Sequence, residues 1–327
     1  MPSNSPRHIN AWLEAGSAMR EAFLRRWWIY QKERFPIVAH GLLIAAFSFS
    51  AISFTSLLRG NFHLPDGRVV LVAFLNSFFA FLQLRIADEF KDFEEDSKYR
   101  PYRPVPRGLI TLRELGWLWL LTGIIQAMLA LWLDARLLWL LLVNWTYLGL
   151  MSREFFAREW LKRRPVTYSW THMLIMPLID FYATACDWLP ATGSPPPGLF
   201  WFVIVSFFNG VVIEIGRKIR APEKEETGVP TYSALWGGPK AAIVWLTLLA
   251  ITAASAIFAS GLVHFQRPVA ITLLAMLSIA AVLVISFART RAVRYGRWFE
   301  NLSGIWTILL YLALGAIPLL VKLRTSG

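Results

Sequence analysis

Asp88, Asp92 and Asp96 recur at intervals of four where a 19-residue apolar run, Val69 to Ala87, comes to an end. On a helix that interval turns about 400° and climbs about 6 Å, so the three carboxylates form one stripe over roughly two turns, with Arg85 on the same stripe. Glu89, Glu94 and Glu95 add negative charge, and a basic, proline-punctuated loop carrying Lys98, Arg100, Arg103 and Arg107 follows. Carboxylates beside guanidinium groups at a membrane surface suit a diphosphate bridged by Mg²⁺. The metal takes carboxylate and phosphate oxygens, and arginines pair with the remaining phosphate charge. Charged residues also flank ordinary transmembrane helices, so this stripe by itself is a weak signal.

A second constellation strengthens it. Glu214 and Lys218 lie four apart, with Gly210 one turn earlier on the same face and with Arg217 and Arg220 alongside. Glu223, Glu225 and Glu226 follow in the next loop. As an isolated i,i+4 pair on a surface, Glu214–Lys218 is worth a few tenths of a kcal/mol. Its recurrence at the end of another apolar run argues for a shared site instead.

The elements that position these groups are membrane helices. Of the 327 residues, 56% are apolar and only 17% charged, with 16 Trp and 23 Phe; a soluble domain carries roughly 25% charged residues. Apolar runs long enough to span recur along the chain, which defines an all-α, polytopic membrane protein rather than an outer-membrane barrel. Nine spans are expected, near 37–58, 69–87, 114–133, 136–151, 166–186, 199–216, 240–260, 268–288 and 302–321. Residues 8–35 read as a basic amphipathic helix in the headgroup layer, with Trp12, Met19, Phe23, Trp27 and Tyr30 on its apolar side. The chain thus divides into an N-terminal segment, 1–36, and a membrane domain, 37–327.

Basic residues orient the bundle. Of 33 Lys and Arg, 27 fall on the side of the N-terminus and 6 on the other, so the N-terminus and the Asp stripe are expected to be cytoplasmic. The net charge of +12 follows from topology, and no nucleic-acid partner is expected. The single cysteine, Cys186, allows no intramolecular disulfide. The first 36 residues lack a central apolar run, so no cleavable signal peptide is expected.

The order DEFKDFEED (88–96), RPVPRG (103–108) with Leu109, Ile110 and Thr111, and TYSALWG (231–237) opening span 7 resembles the UbiA superfamily of intramembrane prenyltransferases, 4-hydroxybenzoate polyprenyltransferase among them. The layout matches over nearly the whole chain, the residues only in these stretches. The resemblance implies helices around a central cavity open sideways to lipid, in an inner membrane with the site on the cytoplasmic face. It implies a prenyl diphosphate and a lipophilic acceptor as substrates and Mg²⁺ held by Asp88, Asp92 and Asp96, with Glu214 supplying the second acidic motif. Arg85, Arg100, Arg103, Arg107, Arg217, Arg220, Lys162 and Arg163 would then face the diphosphate. This chain departs from the family at Asp88, where Asn is common, and at Lys218, where another acid is expected. Lys218 could neutralise diphosphate directly, or mark the loss of a second metal.

In the chemistry so implied, an allylic diphosphate ionises as its leaving charge is stabilised, and an electron-rich acceptor captures the cation in a water-poor chamber. Asn144, Tyr147, His172 and Asp180 are polar groups at membrane depth; Asp180 should face the bundle, since a mid-span carboxylate costs roughly 2.5–3.5 kcal/mol. A transporter would concentrate ionisable groups at mid-membrane, whereas most acids here sit at helix ends. A CDP-alcohol phosphotransferase would show an Asp-Gly, Ala-Arg pattern missing between Asp88 and Gly108. A terpene cyclase on the same fold shares the ionisation step and stays open. Acceptor, chain length and oligomeric state are not written in the sequence.

Overall fold

The computed structural model describes residues 22–226, 229, 231–290, 292 and 294–326. Among these the chain is helical throughout, with no strand. Helix α1 spans 22–34. It is followed by α2 (Ile37–Leu58), α3 (Gly67–Lys91), α4 (Phe93–Tyr99), α5 (Leu112–Leu133) and α6 (Leu137–Ser152). Then come α7 (Arg158–Lys162), α8 (Pro165–Met173), α9 (Ile175–Thr192) and α10 (Leu199–Gly216). The chain closes with α11 (Tyr232–Trp236), α12 (Gly238–Gly261), α13 (Gln266–Thr290), α14 (Arg294–Leu314) and α15 (Ala316–Ser326).

Local signals place the helix ends. The Asp66 side chain accepts from the Arg68 amide at 2.7 Å to start α3, and Thr111 and Glu114 form a reciprocal capping box at α5. Gly193, with φ 75°, ends α9 in the left-handed conformation that suits glycine.

Seven helical stretches among the described residues are long and apolar enough to cross a membrane. Large side chains such as Trp117, Ile124, Leu131, Ile271, Val282 and Ile285 lie exposed on their outer faces, where lipid rather than water is the natural neighbour. Two of the nine expected spans depart from that description. The fourth, α6, has 16 residues. The fifth is broken at Leu174 into α8 and α9. Pro177 explains the break: it has no N–H for the carbonyl four residues back, and its ring crowds that carbonyl.

The interior is packed closely. Helix α10 packs against α9, α12 and α14, and α2 packs against α3, α9 and α14. At Gly315, between α14 and α15, a Cβ atom would lie 2.0 Å from the Ser50 backbone oxygen of α2. At Gly216 it would lie 2.1 Å from Ser303 Oγ, the hydroxyl that accepts from Trp245 Nε1 at 3.0 Å. One space inside the bundle, between α3, α5, α6 and α9, is lined by Asn76, Gln83, Gln126, Asn144, Trp145 and Tyr182 and measures about 10 Å³, room for about one water.

Part of the expected amphipathic helix, including Trp12 and Met19, lies outside the described residues. Its described end, α1, is anchored rather than free on a surface. Tyr30 is buried in a cluster with Ile86, Val105, Ile110 and Leu115, Arg34 pairs with Glu89, and Arg26 bonds the Leu109 carbonyl at 2.7 Å. Exposed Phe23, Leu24 and Trp28 keep an apolar side outward.

Candidate functional site

The acidic end of α3 holds the helical spacing past its formal terminus. Asp92 caps α3 with φ −95° and ψ 3°, yet its amide donates to the Asp88 carbonyl at 2.9 Å and the Asp96 amide donates to the Asp92 carbonyl at 2.8 Å. The three carboxylates nevertheless have different surroundings. Asp88 lies 3.6 Å from Arg85 and 3.9 Å from Lys91, loose contacts that leave its oxygens available. Asp92 makes no ion pair or side-chain hydrogen bond among the described residues. Burial pushes its carboxyl up to about 6, and the charges of Asp88, Asp96 and Glu95 push the same way against Lys91.

Asp96 is 1% exposed and bound to Arg100 at 2.9 Å and Arg103 at 2.5 Å. Those pairs fold the RPVPRG loop back onto α4. Arg107 is turned away from the carboxylates, toward Glu33 at 2.9 Å and the Tyr102 carbonyl at 2.7 Å.

The end of α10 is built differently. Glu214 is buried; its Oε2 accepts from Arg217 Nε at 2.8 Å, and its Oε1 pairs with Lys218 at 2.7 Å. Glu214 is thus held by two cations, a tighter arrangement than a solvated surface pair. Charges at the two acidic ends influence the same groups: Arg217 feels both Glu214 and Asp88, and His172 feels the same two acids.

The loops above them are cross-linked. Tyr102 donates to Glu226 at 3.3 Å, which joins the loop after α4 to the loop after α10. Arg158 and Lys162 of α7 both reach Glu95 of α4 at 3.1 Å. Arg220 pairs with Glu226 at 3.1 Å, and Arg163 is exposed.

Four residues absent from the expected site stand beside it or in it: Lys91, Glu154, Tyr168 and His172, the last noted in the sequence only as a polar group at membrane depth. Lys91 Nζ lies 3.1 Å from Tyr168 Oη and 3.7 Å from Glu154. Glu154 opens a turn in which three consecutive non-glycine residues, Glu154, Phe155 and Phe156, take φ of 52°, 51° and 56°. Such backbone costs of order 1–3 kcal/mol per residue and persists where the surroundings enforce it. Only the presence of an acid among the basic residues that follow α6 could have pointed to Glu154. Asp180 has a different role: buried in the bundle, it accepts from Tyr311 of α14 at 2.5 Å.

Among the described residues no three His, Cys, Asp or Glu converge into a ready-made metal cluster. Of the four expected ligands Asp88, Asp92, Asp96 and Glu214, Asp88 and Asp92 have the least committed oxygens, and together they suit one hard cation whose remaining ligands come from a phosphate group. Asp96 and Glu214 would have to release cations before ligating.

Set against known proteins, residues 46–309 match the model of the UbiA prenyltransferase family. The fold is similar to the apo structure of a UbiA homolog from Aeropyrum pernix K1, with a TM-score of 0.65 and 14% identity over 86% of this chain and 98% of that one. It is also similar to a digeranylgeranylglyceryl phosphate synthase structure, with a TM-score of 0.58 and 14% identity over 92% and 99% of the two chains. No curated protein matches significantly.

Proposed function

This chain belongs to the UbiA prenyltransferase family, and on that premise we propose that it is a Mg²⁺-dependent membrane prenyltransferase. It takes an isoprenyl group from a prenyl diphosphate and joins it to a lipophilic acceptor. The observation that supports this reading is electrostatic coupling between two helix ends distant in sequence: Arg217, paired with Glu214 of α10, also feels the charge of Asp88 on α3. The segments that follow those two helix ends are tied together by Tyr102–Glu226, and α4 is tied to α7 by Glu95 with Arg158 and Lys162.

Asp88 and Asp92 are the residues that would hold Mg²⁺, and the bound ion would spread the charge that gathers on the leaving diphosphate. Arg85 and Arg217 face the same region and offer guanidinium forks to phosphate oxygens. Glu214 keeps Arg217 and Lys218 in place, so Lys218 acts as a positioned cation close to where the family carries an acid. The cross-linked loops exclude water from the ionised donor. With the basic residues biased to the N-terminal side, this face is cytoplasmic and the membrane is the bacterial inner membrane.

The test is purified protein in nanodiscs with Mg²⁺ and a panel of labelled prenyl diphosphates. Metal-dependent diphosphate release, abolished in Asp92→Ala, is the expected result, and a prenylated acceptor distinguishes transfer from cyclisation. No release from any donor, with substrate flux across proteoliposomes, would overturn the enzyme in favour of a transporter.

A further inference from the structure

Between the turn after α6 and helix α8, two hydrogen-bond acceptors face each other. His172 Nδ1 lies 2.9 Å from the Tyr168 carbonyl. A carbonyl only accepts, so Nδ1 carries the hydrogen and the neutral ring presents a lone pair at Nε2. That nitrogen lies 3.8 Å from Glu154 Oε2, and neither atom has a hydrogen-bond partner among the described residues. The two residues are 5% and 8% exposed. Buried acceptors left unmatched are costly, and a pair of them is matched by a group that donates.

The surroundings are aromatic. The Tyr168 ring stacks on His172 with centroids 3.8 Å apart, Phe155 stands edge-on to His172 at 5.9 Å, and Tyr147 packs 5.5 Å from Phe155. The nearby cation, Lys91, is shared between Glu154 at 3.7 Å and Asp88 at 3.9 Å. A ligand carboxylate would therefore meet the Glu154 carboxylate and an imidazole lone pair with no donor of its own to offer, whereas a neutral hydroxyl can share its one hydrogen between the two acceptors.

Building on the prenyltransferase reading, we propose that Glu154 and His172 bind the hydroxyl of the acceptor substrate and select a neutral, hydroxyl-bearing ring over a carboxylate-bearing one. Glu154 also receives the proton. As the hydroxyl oxygen bonds to the prenyl C1, the bond from C1 to the diphosphate oxygen breaks, its electron pair leaves with the diphosphate, and the hydroxyl hydrogen passes to Glu154 Oε2. Where a ring carbon is the nucleophile, the hydroxyl proton passes to Glu154 as the new carbon–carbon bond forms and a dienone results; the ring hydrogen then leaves as a proton to the departed diphosphate, and Glu154 returns its proton to the oxygen, restoring the aromatic ring.

The experiment compares hydroquinone with 4-hydroxybenzoate, which differ by a hydroxyl against a carboxylate, as ligands of the full chain in nanodiscs by isothermal titration without any donor. Wild type should bind hydroquinone at least tenfold more tightly. Glu154→Gln and His172→Asn should each weaken hydroquinone binding, and Glu154→Gln should also shrink or invert the preference, a change that a merely structural role would not produce. A thermal melt verifies folding, and His172→Asn keeps the comparison usable if Glu154→Gln does not fold. An unchanged preference in Glu154→Gln, or tighter wild-type binding of 4-hydroxybenzoate, overturns the inference even if diphosphate release is observed. Selective hydroquinone binding without diphosphate release from any donor would uphold the site and sink the enzyme that contains it.

Discussion

Asp96 and Asp92 belong to one sequence motif but carry different burdens, and removing each should have opposite effects on the metal-free protein. Asp96 is 1% exposed and anchors Arg100 and Arg103 at 2.9 and 2.5 Å. Asp96→Ala leaves two largely buried guanidinium groups without their carboxylate, and breaking a buried pair from one side costs about 3–5 kcal/mol. With an unfolding entropy near 2.1 cal/mol/K per residue, that amounts to a loss of ~4–7 °C in melting temperature for a chain of this size. Asp92 has no such partner, and its carboxyl is pushed up to about 6 by burial and then by neighbouring acids. Its ionised form therefore works against folding at pH 7.5. Asp92→Asn removes that penalty and should raise stability by ~1 kcal/mol, the solvent-facing part of the side chain screening the rest. Differential scanning fluorimetry in detergent with EDTA measures both. Adding Mg²⁺ with inorganic diphosphate should then stabilise wild type but not Asp92→Asn. If both variants lose stability equally in EDTA, the division of labour within the motif is wrong.

The raised Asp92 carboxyl also has a pH signature. Because the folded value lies above the unfolded one, metal-free stability falls as pH rises from about 4 through about 6. The Mg²⁺-dependent stabilisation should grow over the same approach to neutrality, with a midpoint near 6; a flat response between pH 5.5 and 7.5 would refute it. Lys91→Met strands the buried Glu154 carboxylate and should cost ~1–3 kcal/mol, with Glu154→Gln in the same chain recovering part of the loss in a double-mutant cycle. Simple additivity would show that the 3.7 Å contact carries no coupling. Gly315→Ala forces a Cβ to within 2.0 Å of the Ser50 carbonyl oxygen, which backbone cannot yield cheaply, and should lower folded yield sharply on size-exclusion chromatography. Wild-type yield and melting temperature would mean that α14 and α2 are not packed so closely.

What could be read from the residues alone depended on whether the signal was local. Charge at the end of an apolar run is local, so the acidic ends of α3 and α10 and the basic loops over them were visible before any coordinates. The break at Leu174 was also local, written in Pro177, but a span read by hydropathy passes over a proline that merely divides it. The roles of Asp96 and Glu214 were not local. Whether a carboxylate is free for a metal depends on which cations fold back onto it, and the sequence offers Arg85, Arg100, Arg103, Arg107, Arg217, Lys218 and Arg220 as equals. Packing separates them: Arg100 and Arg103 are spent on Asp96 and Arg107 on Glu33, whereas Glu214 holds Arg217 and Lys218 at the end of α10, where Arg217 still feels Asp88.

Glu154 lies beyond sequence reading for a further reason. A left-handed turn through Glu154, Phe155 and Phe156 has no glycine or asparagine to announce it, so the conformation must be imposed by tertiary contacts rather than chosen by the residues. Lys91 and the aromatic contact of Phe155 with His172 supply those contacts. The same contacts hold an unmatched carboxylate oxygen beside an unmatched imidazole nitrogen. A fold that spends strain to keep two acceptors unpaired is stable only because the rest of the bundle pays for it, and that expense has a use if a donor-bearing substrate completes the pair.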